Sequence, residues 1–354
     1  LKNSLEYAVR ERGGIDEVRR RSGGHPRHFG IALDMHLNGR WDAFYAFQVA
    51  AVRNGGFMVA REMCRLVDSA MPHNAHHYEV QDGFLKAASV DLQSAIEPDR
   101  LYLGAVSGVR EFRPLYDALT HMGFYNLNPE PMRSLQKPDP SVTLARDGRN
   151  IASILKRIEE GDVRVKERIE QHLETVVPSV RGVEHKTYGP LEAPEFRQAV
   201  PGGKHPWHFL AASMSDGTLR GLGVLVALFQ GAARGGKGVP LVGIEEPEAA
   251  LHPAATSALV EAILEAAEQT QVIVTSHSPD LLDNEGIASD SILAVVLRSG
   301  ETVVGPVDDA TRQALRNKLY TPGELLRLQQ IEPHRSVFEQ TNRQWKLFPE
   351  EIGD

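Results

Sequence analysis

The sequence predicts an α/β protein with an antiparallel β-subdomain, a helical insert and a parallel strand-helix-strand core. Three observations carry that expectation. Asn38-Gly39 and Asn54-Gly55 each separate runs of alternating apolar and polar residues, the pattern of a hairpin whose turn needs positive φ at both central positions. Apolar residues at 151, 154, 155 and 158, then at 165, 169, 173 and 176, recur with a helical period. Two short apolar runs, 239–244 and 272–275, enclose a helix from Pro253 to about residue 268, which makes the strands a parallel pair joined by a crossover.

Taken in order, the opening RERGGIDEVRRRSGG is charged, and Arg10, Arg12, Arg19, Arg20 and Arg21 read as a solvated helix face more readily than as a nucleic-acid contact. From 29 onward the runs FGIALDMHL, WDAFYAFQVAAV and FMVAREMCRLV form a meander, extended around 78–87. His73, His76 and His77 have a spacing a metal could use, but no third ligand type stands near and the stretch reads as an inter-strand loop. Asp162 is positioned to cap the second helical stripe. The stripes hold no heptad register, which excludes a long coiled-coil arm. His205 and His208 flank Trp207 and read as strand-edge packing, while 218–232 is apolar on nearly every side and reads as a buried helix. A hairpin around Ser299-Gly300 and a helical tail from 309 follow. The expected segments are 1–100 (opening and β-subdomain), 101–213 (helical insert), 214–310 (catalytic core) and 311–354 (terminal helix and tail).

Composition sets the outer bounds. With 42% hydrophobic and 24% charged residues the 354-residue chain is globular, and 39 basic against 47 acidic residues leave a net charge of -8, which does not advertise wholesale phosphate neutralisation. The apolar run 222–229 falls well short of the roughly 18 to 20 residues that span a bilayer, so membrane partners are not expected and a cytoplasmic location is. Cys64, the one cysteine, has no partner within the chain and reads as a small buried hydrophobe.

The chemistry concentrates in LVGIEEPEAALHP, 241–253, where an apolar strand ends in Glu245 and Glu246 with Glu248 just beyond. Crowded carboxylates at a parallel strand end repel one another unless a cation or proton relieves them, which is what a Mg²⁺ site and a water-activating base require. Upstream, MSDGTLRGLG places Ser215 and Asp216 at the start of the buried helix, with Gly217 permitting close backbone approach. Downstream, VIVTSHSPDLLD ends a core strand at Ser276-His277-Ser278.

In this order the three stretches resemble the ABC-type ATPase heads of the SMC, RecF and OLD-like branch and the bacterial predicted ATPases grouped with them. The resemblance runs nearly the whole chain, including the opening RERGGIDEVRRRSGG and the late LYTPGELLRL. It implies an ABC-ATPase-like P-loop NTPase fold in which SDGTLR is the signature motif, IEEPE the Walker B region, ALHP the D-loop and SH the switch histidine. It further implies Glu246 and His277 as catalytic residues, Glu246 polarising the attacking water and His277 sensing the γ-phosphate. Glu245, in place of the commoner Asp, would hold Mg²⁺ through water. Ser215, Asp216, Gly217, Thr218 and His252 would contact ATP, with Ser215 and Gly217 reaching the γ-phosphate of a facing protomer. ATP-driven head-to-tail dimerisation in a DNA-related or antiviral-defence process is the implied function; a non-catalytic, nucleotide-switched scaffold holding a separate effector such as a nuclease is the alternative. Implied partners are a second copy, an effector protein and DNA. SDGTLR and LHP depart from the LSGGQ and LD patterns of transporter subunits. One family element is missing: the near match to GxxxxGK[ST], GAARGGKG from Gly231 to Gly238, puts Gly238 where Ser or Thr must meet Mg²⁺ and reads as a connecting loop. The expectation is that the P-loop lies upstream of Leu1.

Overall fold

The computed structural model describes residues 4–19, 27–53, 55–231, 239–298, 300–337 and 347–349. The chain folds as two compact units, one of residues 1–120 with 344–354 and one of 121–343.

In the first unit, helices α1 (Leu5–Arg10) and α2 (Ile15–Val18) precede a five-stranded antiparallel sheet. Its strands, β1 (His28–Leu37), β2 (Trp41–Ala51), β3 (Phe57–Asp68), β4 (Met71–Gln81) and β5 (Phe84–Ala88), pair in sequence order. Helices α3 (Tyr102–Ala105) and α4 (Arg113–His121) follow. Asn38 and Gly39 adopt φ of 54° and 63°, as the hairpin turn requires, and Asp82-Gly83 does the same between β4 and β5 at 51° and 79°. Of the second Asn-Gly turn, Asn54 lies outside the described residues, as do Arg20 and Arg21; Arg19 pairs with Asp16 at 2.8 Å. His73, His76 and His77 are not in a loop. They belong to β4, where His77 faces Arg65, His76 faces Leu66, and the His76 ring lies 5.8 Å from that of Trp41. The β3–β4 ladder runs through His76 and His77, which point to opposite faces of the strand and are each only partly covered. Cys64 is buried, as expected.

The core of this unit encloses a carboxylate. Glu62 is fully buried, and its oxygens accept from Tyr78 Oη (2.7 Å), Tyr45 Oη (3.0 Å), Tyr102 N (2.6 Å) and Leu103 N (2.9 Å). It thereby ties the first turn of α3 to the middle of the sheet.

The second unit opens with β6 (Gly123–Tyr125), α5 (Pro129–Arg133), α6 (Ile151–Gly161) and α7 (Val163–Val176). Ile151, Ile154, Leu155 and Ile158, then Val165, Ile169, Leu173 and Val176, are all buried, so both helical stripes face the core. Asp162 caps α7 by accepting from Arg164 N at 3.0 Å. Strands β7 (Val180–Tyr188), β8 (Leu191–Gln198) and β9 (Trp207–Leu210) then form an antiparallel sheet in the stretch expected to be helical. Helix α8 (Asp216–Phe229) is buried along almost its whole length, packed against α5, α7, α9 (Thr256–Ala267) and β10 (Leu241–Glu245). β10 is the middle of a parallel sheet of order β11-β10-β6, with β11 at Gln271–Thr275. Helix α10 (Pro279–Leu282), the hairpin β12 (Leu293–Arg298) and β13 (Glu301–Pro306), and helices α11 (Asp309–Arg316) and α12 (Pro322–Arg327) complete the unit. None of the described helices is long and apolar enough to cross a membrane.

Burial pushes the Glu62 carboxyl up, against four hydrogen bonds that favour its charged form. A carboxyl raised in the folded state stabilises the fold below its unfolded pKa and loses that contribution as pH rises through the folded value. In Glu62→Gln an amide N–H is forced against buried donors, which costs about 2 kcal/mol at neutral pH. Urea unfolding from neutral pH down to the ordinary value of 4.5 should show the wild type gaining stability relative to the variant as pH falls; parallel pH profiles would refute the buried-carboxylate account.

Candidate functional site

The site is built at the carboxyl edge of the parallel sheet. Ile244 lies opposite Tyr125 on one side and Val274 on the other, so the chain leaves all three strands at one level. The residues that emerge there are Asn126, Glu245-Glu246 and Ser276-His277, at the position where open α/β sheets bind ligands.

Glu245 accepts from Asn126 Nδ2 at 2.7 Å and from Arg146 Nη2 at 3.1 Å, one donor on each oxygen. Glu246 follows in a left-handed backbone conformation, φ 44°, while its N–H continues the ladder to the Thr275 carbonyl at 2.9 Å. That conformation swings its carboxylate to within 3.9 Å of His277 Nε2. Both groups are open to solvent, Glu246 at 51% and His277 at 89% of their side-chain surface. Glu248 turns inward. Its Oε1 accepts from Ser276 Oγ at 2.5 Å, and Ser276 Oγ accepts in turn from Ser278 N at 2.9 Å, so this third acid braces the loop that carries His277. Its Oε2 is buried and has no hydrogen-bond partner among the described residues.

The second group lies at the start of α8. Ser215 Oγ accepts from Thr218 N at 3.1 Å and contacts Thr218 Oγ1 at 2.8 Å, a side-chain N-cap. Asp216 pairs with Arg133 and is exposed, whereas Gly217 and Thr218 are buried. A Cβ at Gly217 would lie 2.4 Å from the Ala250 carbonyl oxygen, so the helix start rests directly on the turn that leaves Glu248. His252, exposed, accepts from Ala254 N through Nδ1 at 3.2 Å and starts the 3-10 turn Pro253–Ala255 ahead of α9. No hydrogen bond or ion pair links the Ser215 cap to Glu245 or Glu246 among the described residues. Within one chain the Glu245-Glu246 carboxylates and the cap are therefore separate groups joined by the 248–251 turn.

Sequence reasoning did not single out Asn126 or Arg146. A polar residue ending the short apolar run GFY was a usable signal for Asn126; nothing in LARDGRN marked Arg146. The near P-loop match spans 231–238, of which 232–238 lie outside the described residues, between the end of α8 and the start of β10.

The donor chemistry fits a hard divalent cation, since the emerging ligands are carboxylate and amide oxygens. The Arg146–Glu245 pair does not block it. Both partners are more than half exposed, and such pairs contribute about 0–1 kcal/mol, less than a divalent ion gains from a carboxylate and substrate phosphates together.

Residues 77–283 match the AAA_21 family, "AAA domain, putative AbiEii toxin, Type IV TA system". The chain belongs to this family. The AAA_21 match covers β6 through β11 and so includes Glu245, Glu246, Ser215 and His277. Among solved structures, an SMC head bound to the C-winged helix domain of ScpA is 11% identical over 74% of this chain and 73% of its own, with a TM-score of 0.40. The SMC head domain from Thermotoga maritima is 14% identical over 75% and 74%, TM-score 0.33. An SMC head with an extended coiled coil, bound to the C-terminal domain of ScpA and derived from Pyrococcus furiosus, is 12% identical over 79% and 80%, TM-score 0.39. No curated protein matches the chain. An AAA_21 chain with a central parallel sheet, an antiparallel subdomain and inserted helices is an α/β P-loop NTPase, the class expected from its motifs.

The Gly217 contact yields a prediction with a defined sign. Alanine in a helix ordinarily gains up to about 1 kcal/mol over glycine, but here the added methyl meets a backbone carbonyl that cannot rotate away. Gly217→Ala should destabilise the chain by about 1–3 kcal/mol in chemical unfolding. A gain in stability would mean that the α8 start and the 248–251 turn do not touch.

Proposed function

We propose that this chain carries the hydrolytic residues of an ATPase that works as a head-to-tail dimer, and that the ATP-bound dimer governs a DNA-related or defence process through a separate effector. The observation that carries the reading is the meeting of Asn126, Glu245, Glu246 and His277 at one edge of a parallel sheet in an AAA_21 chain. Its family description, which names a toxin of a Type IV TA system, supports the defence role.

In this reading Glu246 is the general base. It is exposed, its backbone aims it outward, and among the described residues no Lys or Arg pairs with its oxygens, so it is free to take a proton from water attacking the γ-phosphorus. Glu245, steadied by Asn126, would hold Mg²⁺ through water, and the ion when bound neutralises phosphate charge. His277, braced through Ser276 and Glu248, donates to the γ-phosphate and releases it after cleavage. The Ser215 cap of a second copy, with the Gly217 N–H and the positive end of α8, completes the anion site from the opposite side. Asp216 and Thr218 shape that helix start, and His252 meets the partner through the neighbouring turn.

The test uses the protein at its natural length. Glu246→Gln should reduce turnover by about 10²–10⁴ while leaving ATP binding intact, so that an ATP-bound dimer accumulates in light scattering. Adding Ser215→Arg should dissolve that dimer, because a cation opposes the helix dipole and fills the space of the facing phosphate. An unaltered rate in Glu246→Gln removes the general base; an ATP-dependent dimer that survives Ser215→Arg removes the role in trans. A wild type that binds ATP without turnover is instead the nucleotide-switched scaffold.

A further inference from the structure

The β7-β8-β9 sheet lies outside the ATPase reading, and one face of it gathers groups that the motifs did not explain. Glu184 on β7 and Glu195 on β8 are direct cross-strand partners. Like charges in that position are destabilising unless something positive relieves them. On β9, His208 pairs with Arg197, two residues along β8 from Glu195, so its imidazole shares the face and reaches Glu195 diagonally. Arg197 itself leans away, its Nη2 3.2 Å from Glu170 on α7. His208 Nδ1 then stands 2.8 Å from Glu195 Oε2 and 3.5 Å from Glu184 Oε1. Tyr188 Oη donates to the other Glu195 oxygen at 3.1 Å and fixes which oxygen faces the imidazole.

We propose that Glu184, Glu195 and His208 form a binding site for a zinc-class divalent ion, taking one ligand from each strand of the sheet. The three donor atoms lie within 4.8 Å of one another. Ligands at about 2.0–2.2 Å around a tetrahedral zinc are about 3.4 Å apart, so shifts of under about 1.5 Å close the site and leave a fourth position for water. An imidazole with two carboxylates selects zinc or its neighbours over Mg²⁺ or Ca²⁺, which favour oxygen alone. The Tyr188 hydroxyl supplies the outer hydrogen bond that orients a ligating carboxylate.

Lys186 is the competitor. Its Nζ lies 3.8 Å from Glu184 Oε2 and 3.8 Å from Glu195 Oε2, beyond hydrogen-bonding distance of both, and its side chain is 43% exposed. Such a loose, solvated ammonium neutralises the acids without filling the position between them, and it can swing out when an ion enters. Binding would fasten β9, a four-residue edge strand held to the sheet by a short ladder, and β9 leads through Ala211–Ser213 to the Ser215 cap of α8. None of the three ligands belongs to the group at 245–277, so the site stands or falls independently of the ATPase reading.

Calorimetric titration of ZnCl₂ into the untagged chain should show one saturable site. His208→Ala and Glu184→Gln should each weaken it by at least about tenfold, while Lys186→Gln strengthens it. Both ligand substitutions are at partly exposed positions, and far-ultraviolet circular dichroism checks that each variant folds. Co²⁺ in place of zinc should give visible absorption of a tetrahedral site in the wild type and lose it in His208→Ala. Absence of saturable zinc binding, or binding that both ligand variants retain unchanged, would show that the cluster is an ion-pair network only and overturn the proposal.

Discussion

The parallel register of β10 with its two neighbours is the constraint on which the rest of the second unit depends. Because Ile244 is level with Tyr125 and with Val274, the residues that leave the three strands arrive together, and a slip of one residue would turn Glu245 or Asn126 to the other face. Parallel strands cannot be joined by tight turns, so each pairing needs a crossover, and the crossovers carry the functional groups. Helix α9 returns the chain from the acidic strand end to the start of β11, and the long passage between β6 and β10 delivers α8 with its capped start. The interior residues of β10, Val242 and Ile244, are fully buried, so register is held by burial and not only by hydrogen bonds.

Much of this was legible because the informative signals are local. Positive φ at Asn38 and Gly39, the buried stripes of α6 and α7, the Asp162 cap and the alternation of β10, α9 and β11 can each be read within a few residues. What stayed hidden is non-local or masked by polarity. β6 has three residues, too few for any period, and becomes a core strand only by pairing with a segment more than a hundred residues on. Asn126 and Arg146 meet Glu245 across 119 and 99 residues of chain, beyond any spacing rule. The β7-β8-β9 sheet was hidden within the expected helical insert, and the histidines of β4 look like loop, because polar and charged residues break the alternation there, although such residues on the exposed side of a ladder are compatible with a strand.

The two units treat their carboxylates differently. Glu62 is enclosed, its two oxygens accepting from two tyrosines and two backbone amides, and it acts as a fastener between sheet and helix. At the sheet edge, Glu245 and Glu246 remain open to water, as the proposed metal ligand and base would need to be before substrate arrives. A buried carboxylate held by four donors is rigid and chemically quiet, whereas an exposed pair of carboxylates stores repulsion that a cation or a proton can release.

Glu248 stands between these cases, and its surroundings point to function without reference to any motif. Within five residues two non-glycine positions, Glu246 and Ala250, hold left-handed φ of 44° and 66°, conformations that cost of order 1 kcal/mol or more each. Between them Glu248 spends one oxygen on Ser276 and leaves the other buried without a partner among the described residues, a further cost. A turn selected for stability alone would have placed glycine at 246 or 250 and an apolar residue at 248. The chain instead bears the strain where it aims Glu246 outward, braces the His277 loop through Ser276 and seats the Gly217 end of α8 on the Ala250 carbonyl. All three connections pass through one six-residue turn, so any movement of that turn shifts Glu246, the His277 loop and the helix cap together.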